Sequence, residues 1–231
     1  MPNNIQNRLV IVGKKEQIDN VLNTIKGDNE VIDFNKIIPM PSELDIPSSS
    51  GGEIGLAVIK KKLGVNTNPL DDIFAEKFDE FNEEAKERII NSGLAYVRNL
   101  VKYGYPTWFE WNKDNWNTKW NAYDTELKND NEIWFTTAWQ NVSDKIIYKL
   151  STMFPDVRFK YSFSSEDTAN NCGKSTFKNG IGVLILIENG SKQALDLYKE
   201  LHPQYADDYE WVDGEIMGRW RDKKMMNKLY E

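Results

Sequence analysis

EIWFTTAWQNVSDKIIYKLSTMFPDVRFKYSFS, residues 132–164, decides the fold. It opens on Ile133, Trp134, Phe135 and two threonines, the composition of a half-buried strand. Ile146, Ile147, Leu150 and Met153 then recur at helical spacing over residues 142–153, and Pro155 ends the helix. Residues 157–164 alternate, with Val157, Phe159, Tyr161 and Phe163 to one side and Arg158, Lys160 and Ser162 to the other. Strand, helix and strand make one β-α-β pass.

Working outward, residues 8–40 read as a second pass. RLVIVG (residues 8–13) is a short apolar run, as in a strand buried on both faces. Ile18, Val21, Leu22 and Ile25 follow at helical spacing, with Gly27 where a C-cap belongs. Residues 30–40 alternate as a strand stopped by Pro39 and Pro41, neither of which can donate to a ladder. Two such passes predict an α+β, ferredoxin-like split β-α-β sandwich, with helices on one face of a mainly antiparallel sheet. Residues 119–127 form a hairpin with residues 132–139 through the turn KNDN (residues 128–131), and GIGVLILIE (residues 180–188) adds a further buried strand. Residues 165–178 read as a polar loop, and Ser191 caps a last helix ending before Pro203.

Between the two halves, residues 42–104 are too long for a loop and predict a helical insertion in the single domain 1–231. A flexible Ser/Gly stretch leads into a helix over residues 54–63 closed by Gly64. A second helix spans residues 71–91 with Phe74, Phe78, Phe81, Ala85 and Ile89 on one stripe, and Gly93 breaks it from a third over residues 94–103. Residues 203–231 are a C-terminal extension. There Asp207, Asp208, Glu210, Asp213 and Glu215 precede Arg219, Arg221, Lys223, Lys224 and Lys228, an ion-pair set or a helix with a complemented C-terminus.

Three stretches carry a resemblance to a known family. NKIIPMPSEL (residues 35–44), NWNTKWNAYD (residues 115–124) and IWFTTAW (residues 133–139) are similar to those of the YubB-type proteins. That resemblance implies a ferredoxin-like domain of unknown function encoded on plasmids, phages and other mobile elements, and brings no catalytic residues with it. Where the family's second motif has a glycine this chain has Asn117, a residue that also accepts positive φ.

The composition bounds the function. Hydrophobic content of 40% and charged content of 28% are those of a soluble globular chain, and no apolar run is long enough to cross a membrane. The N-terminal residues lack the pattern of a signal peptide, so a cytoplasmic location is expected. The single cysteine, Cys172, rules out an internal disulfide and leaves an incidental thiol in the polar loop. A net charge of -7 weighs against wholesale nucleic-acid binding.

Catalytic material is scarce. The one histidine, His202, sits at a helix end and reads as a cap rather than a base. Glu110, Asp124 and Glu126 are the only plausible set for a metal-dependent hydrolase, and exposed carboxylates are the simpler reading, so no metal or other cofactor is expected. Ser48–Gly52 precedes a helix without the spacing of a phosphate loop. Sheet-mediated RNA binding is disfavoured, because Arg158 and Lys160 face away from the aromatics of their strand. Direct nucleic-acid binding through those two and the basic tail, or mimicry by the acidic face of residues 71–91, remains the alternative class.

The leading candidate is aromatic. Six of the eight tryptophans, Trp108, Trp111, Trp116, Trp120, Trp134 and Trp139, fall in residues 105–140. Either they glue the insertion to the sheet or some stand open as a recognition surface. Trp134 and Trp139 are assigned to the hairpin. Trp111, Trp116, Lys119, Trp120, Asn121 and Tyr123 then make the candidate groove for a protein partner, with rings for contact area and Lys119 and Asn121 for orientation.

Overall fold

Asn4–Val12 forms β1 in the computed structural model, which describes residues 3–65 and 68–219. The strand begins earlier than its apolar run and is buried on one face only. Ile5, Asn7, Leu9 and Ile11 are inside, while Val12 is exposed. α1 (Lys15–Ile25) follows, burying Ile18, Val21 and Ile25, and its C-cap is Lys26 in extended conformation rather than Gly27.

Residues 30–40 do not form a strand. Asp33 accepts a hydrogen bond from the Asn35 amide at 2.8 Å and so caps a 3-10 turn at Phe34–Lys36. A short polar side chain that satisfies its own backbone competes with a ladder, and here it wins. Two more donors go to side chains, Val31 N to Thr125 Oγ1 at 2.8 Å and Phe34 N to Asn121 Oδ1 at 2.9 Å, and Asp33 N goes to the Ile25 carbonyl at 2.8 Å. Ile32, Phe34 and Ile37 are buried all the same.

The chain divides into two compact units, one running up to Pro39 and resuming at Asn115, the other being Met40–Asp114. The second is helical: α2 (Ser50–Leu63), α3 (Pro69–Lys77), α4 (Glu83–Tyr103) and most of α5 (Trp108–Asn115). Ser49 caps α2 by accepting from Gly52 N, and Gly64 closes it at φ 65°. Gly93 lies inside α4 and does not break it. A Cβ there would come within 2.3 Å of Gly55 carbonyl carbon, and one on Gly55 within 2.1 Å of the Ile89 oxygen. The two glycines exist so that α2 and α4 can touch backbone to backbone, a use that outweighs the lower helix propensity of glycine. Ile54, Val58 and Ile89 form this unit's core, with Phe74 and Phe78 packed against it.

The first unit resumes with β2 (Tyr123–Asn129), β3 (Glu132–Ala138), α6 (Asp144–Met153), β4 (Arg158–Ser165), β5 (Cys172–Lys178), β6 (Ile181–Ile187), α7 (Lys192–Leu201), β7 (Tyr209–Val212) and β8 (Glu215–Gly218). Strands β2-β3-β1-β4-β5-β6 make one antiparallel sheet in that order. The pairs of the split plan are therefore β1-α1-β2 and β3-α6-β4. The strand at residues 123–129, expected as an addition, is the one that completes the first pass, and the helical unit sits within the connection from α1 to β2.

Phe135, Phe159, Tyr161 and Phe163 lie on the inner face with Ile5, Leu9 and Ile11, and all are buried. A polar network runs through them. Tyr161 Oη donates to Asn7 Oδ1 at 2.5 Å and accepts from Val142 N at 3.0 Å, while Asn7 Nδ2 donates to Thr137 Oγ1 at 3.0 Å. Every member is paired, which is what allows polar groups to sit in a core.

β5 replaces the expected loop. Its inner face carries Gly173, Ser175 and Phe177, and Gly173 is small because the Phe163 ring of β4 lies across it, where a Cβ would meet that ring at 2.6 Å. Cys172 is buried, and burial raises its thiol pKa. β6, expected to be buried, is an exposed edge strand. α7 covers the other face, where Cys172, Ala194, Leu195, Leu197 and Leu201 form a second core backed by Trp134, Tyr209, Trp211 and Ile216. The acidic stretch of the extension forms the β7-β8 hairpin, with Glu210 3.5 Å from Arg219. Arg221, Lys223, Lys224 and Lys228 lie outside the described residues.

Candidate functional site

The loop from α5 to β2 is built on Trp116. Its ring is 2% exposed, stands edge-on to Phe34 at 5.8 Å, and donates Nε1–H to the Ile38 carbonyl at 3.0 Å. Asn117 takes φ 63°, the left-handed geometry its glycine-like position requires, and donates to Asn141 O at 2.9 Å. Asn121 is equally occupied. Its Oδ1 accepts from Phe34 N and Ala122 N, and its Nδ2 donates to Asp33 Oδ1 at 2.6 Å. Trp116 and Asn121 thus anchor the loop from beneath.

What the anchored loop presents is a row of rings around a cation. Lys119 Nζ lies 4.5 Å from the Trp120 ring centroid and 4.8 Å from that of Trp139. Trp120 and Trp139 are 36% and 37% exposed. Tyr123 continues the row, 6.5 Å from Trp120 ring to ring, and its hydroxyl donates to Asn4 Oδ1 at 2.6 Å. Burial, then the charges of Asp124 and Glu166, raise the Tyr123 pKa and keep it a neutral donor. A cation within about 6 Å of an indole face is attracted by the ring quadrupole, so Lys119 is held upright between two rings.

Trp139 sits at φ 76°, in the left-handed region that bulky side chains avoid. Trp116 and Trp139 therefore exchange the roles expected of them, the first buried and the second open. The sequence signal for Trp139 was weak because a strand-end tryptophan reads as core. Trp111, on α5, belongs to the helical unit and is buried.

The remaining candidates are dispersed. Glu110 lies in the helical unit and accepts from Thr107 Oγ1 at 2.7 Å, whereas Asp124 and Glu126 are on β2, Glu126 2.6 Å from Lys128. Among the described residues no group of three or more His, Cys, Asp or Glu could hold a metal ion. His202 caps α7, is buried, and stacks on Tyr198 at 4.5 Å; burial pushes its pKa down, against carbonyls of Ser164 and Ser165. In residues 71–91, Asp71 pairs with Lys60, Glu83 with Lys86 and Glu84 with Arg88, so three of the eight carboxylates there are locally compensated. Arg158, Lys160 and Lys178 have no carboxylate partner among the described residues, and Arg158 stands directly opposite Lys178 in the sheet.

Comparison with a family model agrees on the fold. Residues 115–203 match a family model described as the ferredoxin-like domain in Api92-like protein. The match begins at the tryptophan-rich loop and spans β2 to α7. A solved structure, that of protein api92 from Yersinia pseudotuberculosis, is 10% identical and covers 82% of this chain and 99% of its own, with a TM-score of 0.41. No curated protein matches. Among the described residues no helix is long and apolar enough to cross a membrane.

Proposed function

We propose that the chain is a non-enzymatic, cytoplasmic binding module of mobile-element origin that docks a protein partner on the surface formed by Lys119, Trp120, Tyr123 and Trp139. The observation that carries this reading is the pair of open indoles bracketing one lysine. Open tryptophan is uncommon on a surface with no use for it, and Trp and Tyr supply most hot spots of protein interfaces. The left-handed backbone at Trp139 adds weight, since such strain costs on the order of 1–3 kcal/mol and persists where the surroundings enforce it. The partner that fits presents an acidic side chain to Lys119 and apolar groups to the two indoles. The scarcity of catalytic side chains, with one histidine and one cysteine in the chain, fits binding better than catalysis.

The test is capture of a partner by wild type and by Trp120→Ala/Trp139→Ala. Both rings are partly open, so the double variant keeps its fold, and loss of the captured partner is the expected result. A folded double variant that retains every partner refutes the assignment. The partner of Trp116→Ala would say nothing, because that change attacks the loop itself.

A second reading has its own observation. Like charges directly opposite in a sheet are destabilising, yet Arg158 faces Lys178 with Lys160 beside them in a chain of net charge -7. An anionic strand such as a nucleic-acid backbone would relieve that repulsion. Retarded mobility of DNA or RNA at low salt, lost in Arg158→Glu/Lys160→Glu, would establish it; unchanged mobility would remove it.

A further inference from the structure

We propose that β6 pairs with β6 of a second copy of this chain, antiparallel about a two-fold axis at Leu184, joining the two sheets into one. β6 ends the sheet, and among the described residues no strand lies beyond it. Its apolar side chains are open to an unusual degree, Ile181 at 79%, Leu186 at 69% and both Val183 and Ile185 at 59%. The other edge, β2, is protected as edges usually are. It carries Asp124, Glu126 and Lys128, its register shifts twice against β3, and Asp124 is at φ 49°. β6 has none of these devices, and a bare apolar edge is a ready template for pairing with another strand.

The sequence of the strand selects the partner. Lys178 and Ile181 flank a two-residue turn, Asn179-Gly180, with both central φ angles positive at 49° and 70°. In such a hairpin the flanking residues form a hydrogen-bonded pair, and alternation then turns the amides and carbonyls of Gly182, Leu184 and Leu186 to the free edge. Two copies related about Leu184 bring those three onto each other, Leu184 opposite Leu184 and Gly182 opposite Leu186, forming about six new backbone hydrogen bonds. This register gives the fullest overlap of outward-facing groups.

Side chains agree on both faces. On the inner face Phe177 lies across Gly182, where a Cβ would meet its ring at 2.4 Å, and the second copy's Leu186 arrives beside it. On the other face Val183 meets the second copy's Ile185, and Ile181 the second copy's Ile187, so every cross-strand pair is aliphatic. No charge lies within Ile181–Ile187 to be opposed by its own copy. A self-complementary patch of this kind is what a two-fold interface demands.

Sedimentation of the full chain over a wide concentration range is the experiment. The expected mass is that of two chains, falling to that of one in Val183→Lys/Ile185→Lys with an unchanged circular dichroism spectrum, while Leu127→Lys on the opposite edge leaves two. A wild type that stays at the mass of one chain overturns the proposal, including the case in which another polypeptide covers β6. So does a dimer that survives the β6 substitutions. Register is tested independently: Val183→Cys mixed with Ile185→Cys should give an intermolecular disulfide on mild oxidation, because the two positions form a non-hydrogen-bonded pair with Cβ atoms close. Cys172 is buried and does not compete. Failure of the mixed sample to cross-link, with each variant dimeric, overturns the register and with it the proposal.

Discussion

At the scale of single residues, burial separates the tryptophans that build from those that present. Trp116 lies under the loop with its indole N–H bonded to Ile38, so Trp116→Ala is expected to cost about 3–5 kcal/mol in denaturant unfolding. Trp120→Ala at the surface is expected to change stability by less than about 1 kcal/mol, since surface changes seldom exceed half that. Tyr161→Phe is expected to cost about 1–3 kcal/mol, because it strands the Asn7 carboxamide oxygen and the Val142 amide in the core. His202 supplies a pH dependence. Its folded pKa is depressed below the ordinary 6.5 by burial, so the unfolded chain binds the extra proton first. Stability from keeping it neutral is complete above about 6.5 and is lost as pH falls towards the folded value. Unfolding free energy measured against pH should show that fall, and His202→Asn, which removes the chain's one histidine, should reduce it.

At the scale of elements, the sequence was readable wherever a period of apolar residues met a clear stop. α6, β4, α7 and β3 followed from their apolar periods, Pro155 and the Ser191 cap, whereas β2 begins at Tyr123 and not at residue 119, the four residues before it lying in the loop. β5 escaped because two of its three inner-face residues, Gly173 and Ser175, are small, which leaves Phe177 as the face's one large apolar residue and no hydrophobic period. The strand expected at residues 30–40 failed because Asp33 gave its backbone a local alternative that no periodicity records. Gly93 was read as a break, whereas its hydrogen replaces a Cβ that would strike Gly55. The consequence is testable. Gly93→Val should destabilise the helical unit by about 1–3 kcal/mol or more, the upper end being expected because the atoms in the way are backbone and cannot turn aside. Amide exchange across α2 and α4 would report it.

At the scale of the whole molecule, the ferredoxin-like unit interrupts its own first β-α-β pass with Met40–Asp114. The Ile38 carbonyl and the Trp116 indole are 3.0 Å apart, so the two cut ends of that unit meet. A chain in which a short glycine-serine linker replaces Met40–Asp114 should therefore fold cooperatively and keep the Trp116 environment, as near-ultraviolet circular dichroism would show. The candidate site was half legible in the sequence. The tryptophan-rich stretch marked the place, but which ring is open depends on Phe34 and Asn121 closing over one side, a tertiary fact that no spacing within residues 105–140 contains.

Site-specific photo-crosslinking in cells that express the protein naturally tests the docking surface most directly. A photoreactive phenylalanine analogue at Trp120 or Trp139 should give one discrete protein adduct, and the same analogue at Val101, which is 84% exposed on the helical unit, should not. No adduct at either tryptophan, or the same adducts at all three positions, would contradict the account.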